Sequence, residues 1–179
     1  MVIGSISGMA KKSMGELAFV AVAVMAIGNA AGRIVAGIVS DKIGRRWTLM
    51  IVLLLQAMLM FAAIPVTKTQ GLAPFIIVVL ASLIGFNYGA NLSLFPSFTK
   101  DLWGLKTFGI NYGLLFSAWG VGGLVLPRVQ QVLTANSPDG KDYTTSFITA
   151  GVLLIVGGLL TLAIRSTPVS APAVPAAGK

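Results

Sequence analysis

Five apolar segments, at residues 17–39, 47–66, 74–98, 108–133 and 145–164, dominate the sequence. Each is long enough for an α-helix to cross the roughly 30 Å hydrocarbon layer of a bilayer, which takes about 20 residues. This constrains the chain more than any other feature, because a backbone in lipid has to satisfy its own hydrogen bonds. The predicted fold class is therefore all-α, a polytopic transmembrane helix bundle over residues 17–165. Polar residues interrupt the first, third and fourth segments. Arg33 lies in the first, Asn87, Tyr88 and Asn91 in the third, and Asn111, Tyr112 and Trp119 in the fourth.

Composition agrees and excludes several function classes. Hydrophobic residues make up 56% of the 179 and charged residues 10%, where a soluble domain carries about 25% charged. With no Cys and no His, disulfides, the commonest metal ligand and the commonest general base are absent. The 5 acidic residues fall mostly in connections. An enzyme is not expected, nor is a cofactor or a metal. The net charge of +8 is spread over the loops and forms no basic face interleaved with aromatics. It points to positive-inside topology rather than to nucleic acid.

The ends read differently from the middle. Residues 1–10 are small and apolar, too short to span, and carry no charged region ahead of an apolar stretch as a signal peptide would. They are predicted to be the end of a truncated transmembrane helix. Residues 166–179 are rich in Pro and Ala and are expected to form a disordered tail. The connections are short, and Asn136-Ser137-Pro138-Asp139-Gly140 is a strong turn signal. With alternating spans, Lys42, Arg45, Arg46, Lys100, Lys106, Arg165 and Lys179 share one side, opposite Lys11, Lys12, Lys68, Arg128 and Lys141. The tight Lys42/Arg45/Arg46 cluster makes the first side cytoplasmic, and with it the C-terminus. Trp47 and Trp103 suit interfacial anchors.

Glycine is frequent inside the spans. Gly28, Gly32 and Gly37 lie along the first, Gly85 and Gly89 form a G-x-x-x-G pair in the third, and Gly109, Gly113, Gly120, Gly122 and Gly123 lie in the fourth. Small residues let membrane helices approach closely, and such helices can also bend and slide in a transport cycle.

The most specific motif follows the first span. Gly37, Asp41, Gly44, Arg45 and Arg46 fit the pattern G-x-x-x-D-x-x-G-R-R. Asp41 at a helix end can pair with Arg45 or Arg46 across a tight turn that Gly44 permits, while Gly37 admits a close neighbour. This resembles the loop motif of the major facilitator superfamily, where it recurs between the second and third and between the eighth and ninth helices. Such a charged turn can latch one conformational state and release in another. Asn87-Tyr88-Gly89-Ala90-Asn91-Leu92-Ser93-Leu94-Phe95-Pro96, with Phe108-Gly109-Ile110-Asn111-Tyr112-Gly113 and Ala118-Trp119-Gly120-Val121-Gly122-Gly123, is similar to the oxalate/formate antiporter family, a relative of the monocarboxylate transporters. The resemblance covers nearly the whole chain. It implies the C-terminal half, about helices seven to twelve, of a twelve-helix carrier in the inner (plasma) membrane. The implied partners are a small carboxylate such as formate, pyruvate or oxalate, the lipid bilayer and an N-terminal six-helix half. A coupling proton or an exchanged anion would complete the cycle.

Arg33 is the strongest candidate for the binding site. It precedes Asp41 by eight residues, roughly 12 Å along a helix, and an intramembrane Arg is costly unless it has a function. A planar guanidinium holds a carboxylate through two parallel hydrogen bonds. In the families resembled, an Arg of the eighth helix binds the substrate carboxylate, and Arg33 matches that position. Asn29, Asn87, Tyr88, Asn91, Asn111, Tyr112 and Trp119 are the supporting candidates, since buried amides and phenols either donate to an anion or bond across helices. The oxalate transporter of the resembled family also uses a Lys in its eleventh helix, and residues 108–126 contain neither Lys nor Arg. A single central cation suits a monocarboxylate better than a dicarboxylate. The competing expectation is a non-transporting half or membrane assembly partner.

Overall fold

The computed structural model describes residues 18–68, 74–135 and 144–164. The expectations for residues 1–10 and 166–179 lie outside them. Five α-helices follow one another: α1 (Ala18–Ile43), α2 (Arg45–Lys68), α3 (Pro74–Trp103), α4 (Phe108–Ala135) and α5 (Thr144–Leu160). A short 3-10 helix, Thr161–Ala163, closes the last. No strand occurs among the described residues. All five helices are long and apolar enough to cross a membrane, so the all-α membrane bundle is the observed architecture. Exposed apolar side chains cover the outside, with Ile110 80% and Leu124 77% exposed, as befits a surface that meets lipid or other helices rather than water.

Several helices outrun the apolar segments that announce them, although the α-helical part of α5 stops at Leu160, short of the expected 164. α1 continues through Ser40, Asp41 and Lys42 to Ile43, and α2 starts at Arg45. The expected link of Asp41 to Arg46 is thus reduced to Gly44. α3 likewise runs through Lys100 and Asp101 to Trp103. Hydropathy marks where the hydrocarbon ends, whereas backbone hydrogen bonding carries a helix on until a residue can turn it. Gly44 and Gly104 do so, at φ 91° and 72°, a left-handed conformation that glycine adopts without a Cβ penalty. Their N–H groups donate to the carbonyls of Ser40 and Lys100, at 3.1 and 2.8 Å.

α3 is the hub, packing against α1, α2 and α4, while α2 also holds α5. Two buried apolar clusters make the core. At one level Leu59, Met60 and Ala63 of α2 meet Leu80, Ala81 and Ile84 of α3 and Phe147 of α5. At the other, Ala36 of α1 and Leu49 and Val52 of α2 meet Ala90, Leu94 and Phe98 of α3.

The α1–α3 seam is built from glycine on both sides. A Cβ added at Gly28 or Gly32 would strike the backbone carbonyl of Ser82 or Phe86, and one at Gly85 or Gly89 that of Met25 or Asn29. Two G-x-x-x-G pairs therefore face one another, and the register shows that the two helices run in the same direction. Gly37 departs from expectation, because nothing lies within 4 Å of a Cβ placed there. It sits about 100° around the helix from buried Ala36, off the seam, and admits no close neighbour among the described residues. α4 is the least embedded helix, with none of its spanning window buried.

Candidate functional site

Polar and charged side chains gather at two places, one midway along α1 and one at the end of the bundle where α1, α2 and α3 meet. On α1, Gly28, Gly32, Ala36 and Ser40 recur every fourth residue and are buried, so this stripe is the face turned inward. Arg33 is one residue on from Gly32 and is exposed, beside the seam rather than in it. Its Nε donates to Asn29 Oδ1 at 3.1 Å, one turn back. Asn29 is itself positioned by the seam, since its backbone packs on Gly89. The chain thus presents a mid-helix guanidinium steadied by a neutral amide. Among the described residues the ion pairs are those of Arg45, and no carboxylate neutralises Arg33. A fixed cation at this depth can be compensated by an anion or by water.

At the end of the bundle, Arg45 pairs with Asp41 at 2.8 Å, the partner the motif spacing suggests. It also reaches Asp101 at the end of α3, with Nε to Oδ2 at 3.0 Å, and its guanidinium donates to Ser40 Oγ. Arg46 turns the other way. It donates to the carbonyl of Leu162 beyond α5 and lies over the Trp47 ring, 5.9 Å from its centroid, within cation–π range. The two motif arginines thereby tie the start of α2 to α1, α3 and the end of α5 at once. Asp101 escaped the sequence reading. Alternation of the spans, which places the ends of the first and third on one side, is the signal that could have found it.

The remaining polar candidates separate. Asn87 is fully buried, with no exposed surface, at helical spacing from Leu80, Ile84 and Leu94 of α3, whose clusters include α2 residues. Of the supporting candidates it is thus the one closed off within the helices, whereas Arg33 is exposed. Asn91 is half-buried and donates to the Asn87 carbonyl at 3.0 Å; Tyr88 is half-buried as well. Asn111 donates to Thr107 Oγ1 at 3.1 Å, and Thr107 to the Trp103 carbonyl at 2.9 Å, so Asn111 serves the α3–α4 turn. Tyr112 stacks on Phe108, with centroids 5.4 Å apart, and Phe116 continues the row to Trp119 at 5.2 Å. This aromatic stripe was also missed, although its spacing of four, four and three residues is helical. α4 packs on α3 and α5 and forms no packed interface with α1. The structure joins Arg33 to Asn29 and Asp41 to Arg45, but it does not bring Asn111, Tyr112 or Trp119 to Arg33.

The sequence matches the family model described as Major Facilitator Superfamily over residues 1–179. It is 36% identical over 134 residues to the MFS transporter asaE of Aspergillus flavus, an alignment covering 75% of this chain and 29% of that protein. It is 34% identical over 109 residues, 58% of this chain and 25% of the other, to the uncharacterized MFS-type transporter YhjX of Escherichia coli. With the probable transporter MCH1 of Saccharomyces cerevisiae it shares 30% identity over 98 residues, 52% of this chain and 20% of the other. The alignments span less than a third of the length of these relatives.

Proposed function

We propose, from the premise that this chain belongs to the Major Facilitator Superfamily, that it forms the C-terminal half of a secondary carrier for small organic anions. Membrane transport is the general activity of the similar proteins; the substrate class is our reading of Arg33. One observation carries it. Arg33 is exposed midway along α1, bonded to the neutral Asn29, with no carboxylate beside it among the described residues. A guanidinium so placed offers its Nη groups to an incoming carboxylate. The aromatic face of α4, with Tyr112 and Trp119, does not meet Arg33 in these helices, so the remaining contacts to the anion are assigned to the rest of the carrier. With Arg33 as the one cation at this depth in the described helices, a monocarboxylate such as formate or pyruvate is favoured over oxalate. Proteoliposomes of the intact carrier should take up a labelled monocarboxylate, and competition should follow small carboxylates rather than sugars or amines. Uptake indifferent to every carboxylate tested would refute the substrate class.

The charged end acts in this scheme as a latch between conformations. Arg45 is one-quarter exposed and Asp101 about half, so the pair itself contributes little stability, typically about 0.2–1 kcal/mol. Asp101→Asn should therefore barely move the thermal midpoint, yet it should shift the distance distribution between spin labels on the ends of α3 and α5. An unchanged distribution would reduce the cluster to a solvated charge group. We place the same end on the cytoplasmic side, which its lysines and arginines favour, and the carrier in the plasma membrane by analogy with the family resembled. Cysteines introduced at positions 43 and 105 should react with an impermeant reagent from the cytoplasm only; labelling from outside would invert the topology.

A further inference from the structure

We infer that Gln56, Asn87 and Asn91 enclose an internal water site midway between α2 and α3. The first observation is position. Val52 of α2 belongs to the apolar cluster with Ala90 and Leu94, and Leu59 and Met60 belong to the cluster with Ile84, Ala81 and Leu80. Gln56 lies between these levels, one turn from Val52 and from Met60, on the same face of α2. Asn87 and Asn91 occupy the matching level on the α2-facing side of α3. A polar layer is thus sealed between two dry ones.

The second observation is chemical. Asn87 has no exposed surface, and neither its Oδ1 nor its Nδ2 has a hydrogen-bond partner. Gln56 Oε1 and Asn91 Oδ1 are buried and unpartnered at the same level. The Asn91 amide nitrogen already donates to the Asn87 carbonyl. Three acceptor oxygens therefore lie at the level of one unpartnered donor nitrogen, Asn87 Nδ2, whose two N–H bonds cannot serve all three. Native proteins pair such groups or hydrate them, because an unpaired polar atom in an apolar interior is costly. Direct pairing of the amides leaves acceptors over, so the deficit is in donors. A water molecule corrects it, accepting from Asn87 Nδ2 and donating to two of the oxygens, which meets the two to four partners an internal water needs. A metal cation fits less well. No carboxylate occurs in the five apolar segments, Asp41 and Asp101 lying at the helix ends, and neutral amides alone would have to hold the charge in a low dielectric. The hydrated layer would also set the register of α2 on α3, as a lone buried Asn does in a coiled coil.

The test uses the intact carrier in lipid nanodiscs, without added substrate. A high-resolution density map should show an ordered peak within about 2.7–3.2 Å of both the Asn87 amide and Gln56 Oε1. A direct Gln56–Asn87 contact with no peak between them would overturn the inference. Thermal unfolding gives an independent measure. Asn87→Leu and Gln56→Leu should each lower the midpoint by several degrees, since each leaves the other's partners orphaned. The double variant should lose no more than the worse single one, because an apolar pair needs no water. Additive losses would show two unrelated environments and overturn the shared site. Loss of the peak on adding formate, or loss of uptake by Asn87→Leu at an unchanged midpoint, would assign Asn87 to the substrate path instead.

Discussion

Arg33→Ala in the intact carrier is expected to abolish carboxylate uptake while leaving expression and thermal stability near wild type. Arg33→Lys should lose roughly 10- to 100-fold, because a charge-assisted hydrogen bond contributes about 1.5–3 kcal/mol and lysine keeps the charge but not the planar fork. The asymmetry between function and stability follows from where the side chain sits. Arg33 lies beside the α1–α3 seam and is exposed, and among the described residues its hydrogen bond runs to Asn29 on the same helix. Removing it opens no cavity and orphans one amide oxygen. Asn29→Ala should act in the same direction but more weakly, by loosening the guanidinium rather than deleting it. Initial uptake rates over a concentration series check both, since a lost binding contact raises KM more than it lowers kcat. Wild-type uptake by Arg33→Ala would leave Arg33 as a structural charge.

Gly89→Ala is expected to damage the fold more than any conservative change elsewhere in these helices, and Gly37→Ala to do nothing or to stabilise. A Cβ at position 89 would run into the Asn29 backbone carbonyl, and the mirror clash occurs at Gly32 against Phe86. Neither obstacle is a side chain that can rotate away, so α1 and α3 have to move apart. Overpacking of this kind costs about 1–3 kcal/mol even where side chains can adjust. Separation would also displace Asn29 and with it the anchor of Arg33, so transport should fall along with the thermal midpoint. At Gly37 a Cβ meets nothing within 4 Å, and alanine is the better helix former by up to about 1 kcal/mol. Equal midpoints for Gly89→Ala and Gly37→Ala in unfolding scans would mean that the seam is not the tight contact described above.

The five apolar runs alone dictate the all-α class and the number of spanning helices, because lipid imposes both on any chain with apolar runs of this length. The turn at Gly44 and a pairing of Asp41 with Arg45 or Arg46 are legible in the sequence in the same way, being local; the structure chose Arg45. Counting residues places Arg33 at mid-depth. Sidedness was beyond the sequence. These helices are apolar nearly all round, so no amphipathic stripe tells which face is inward. Asn87 and Arg33 look alike as polar interruptions, yet packing buries the first between α2 and α3 and leaves the second open. Gly28 and Gly32 became a counterpart to Gly85 and Gly89 only when α1 and α3 were brought side by side. Asp101 became a partner of Arg45 across 56 residues of chain in the same way. Gly37 shows the converse, a motif position whose expected close neighbour is absent from the described helices. Each of these outcomes depends on which helix lies against which, and that is decided by interhelical fit, a property of pairs of surfaces that no single stretch of sequence contains.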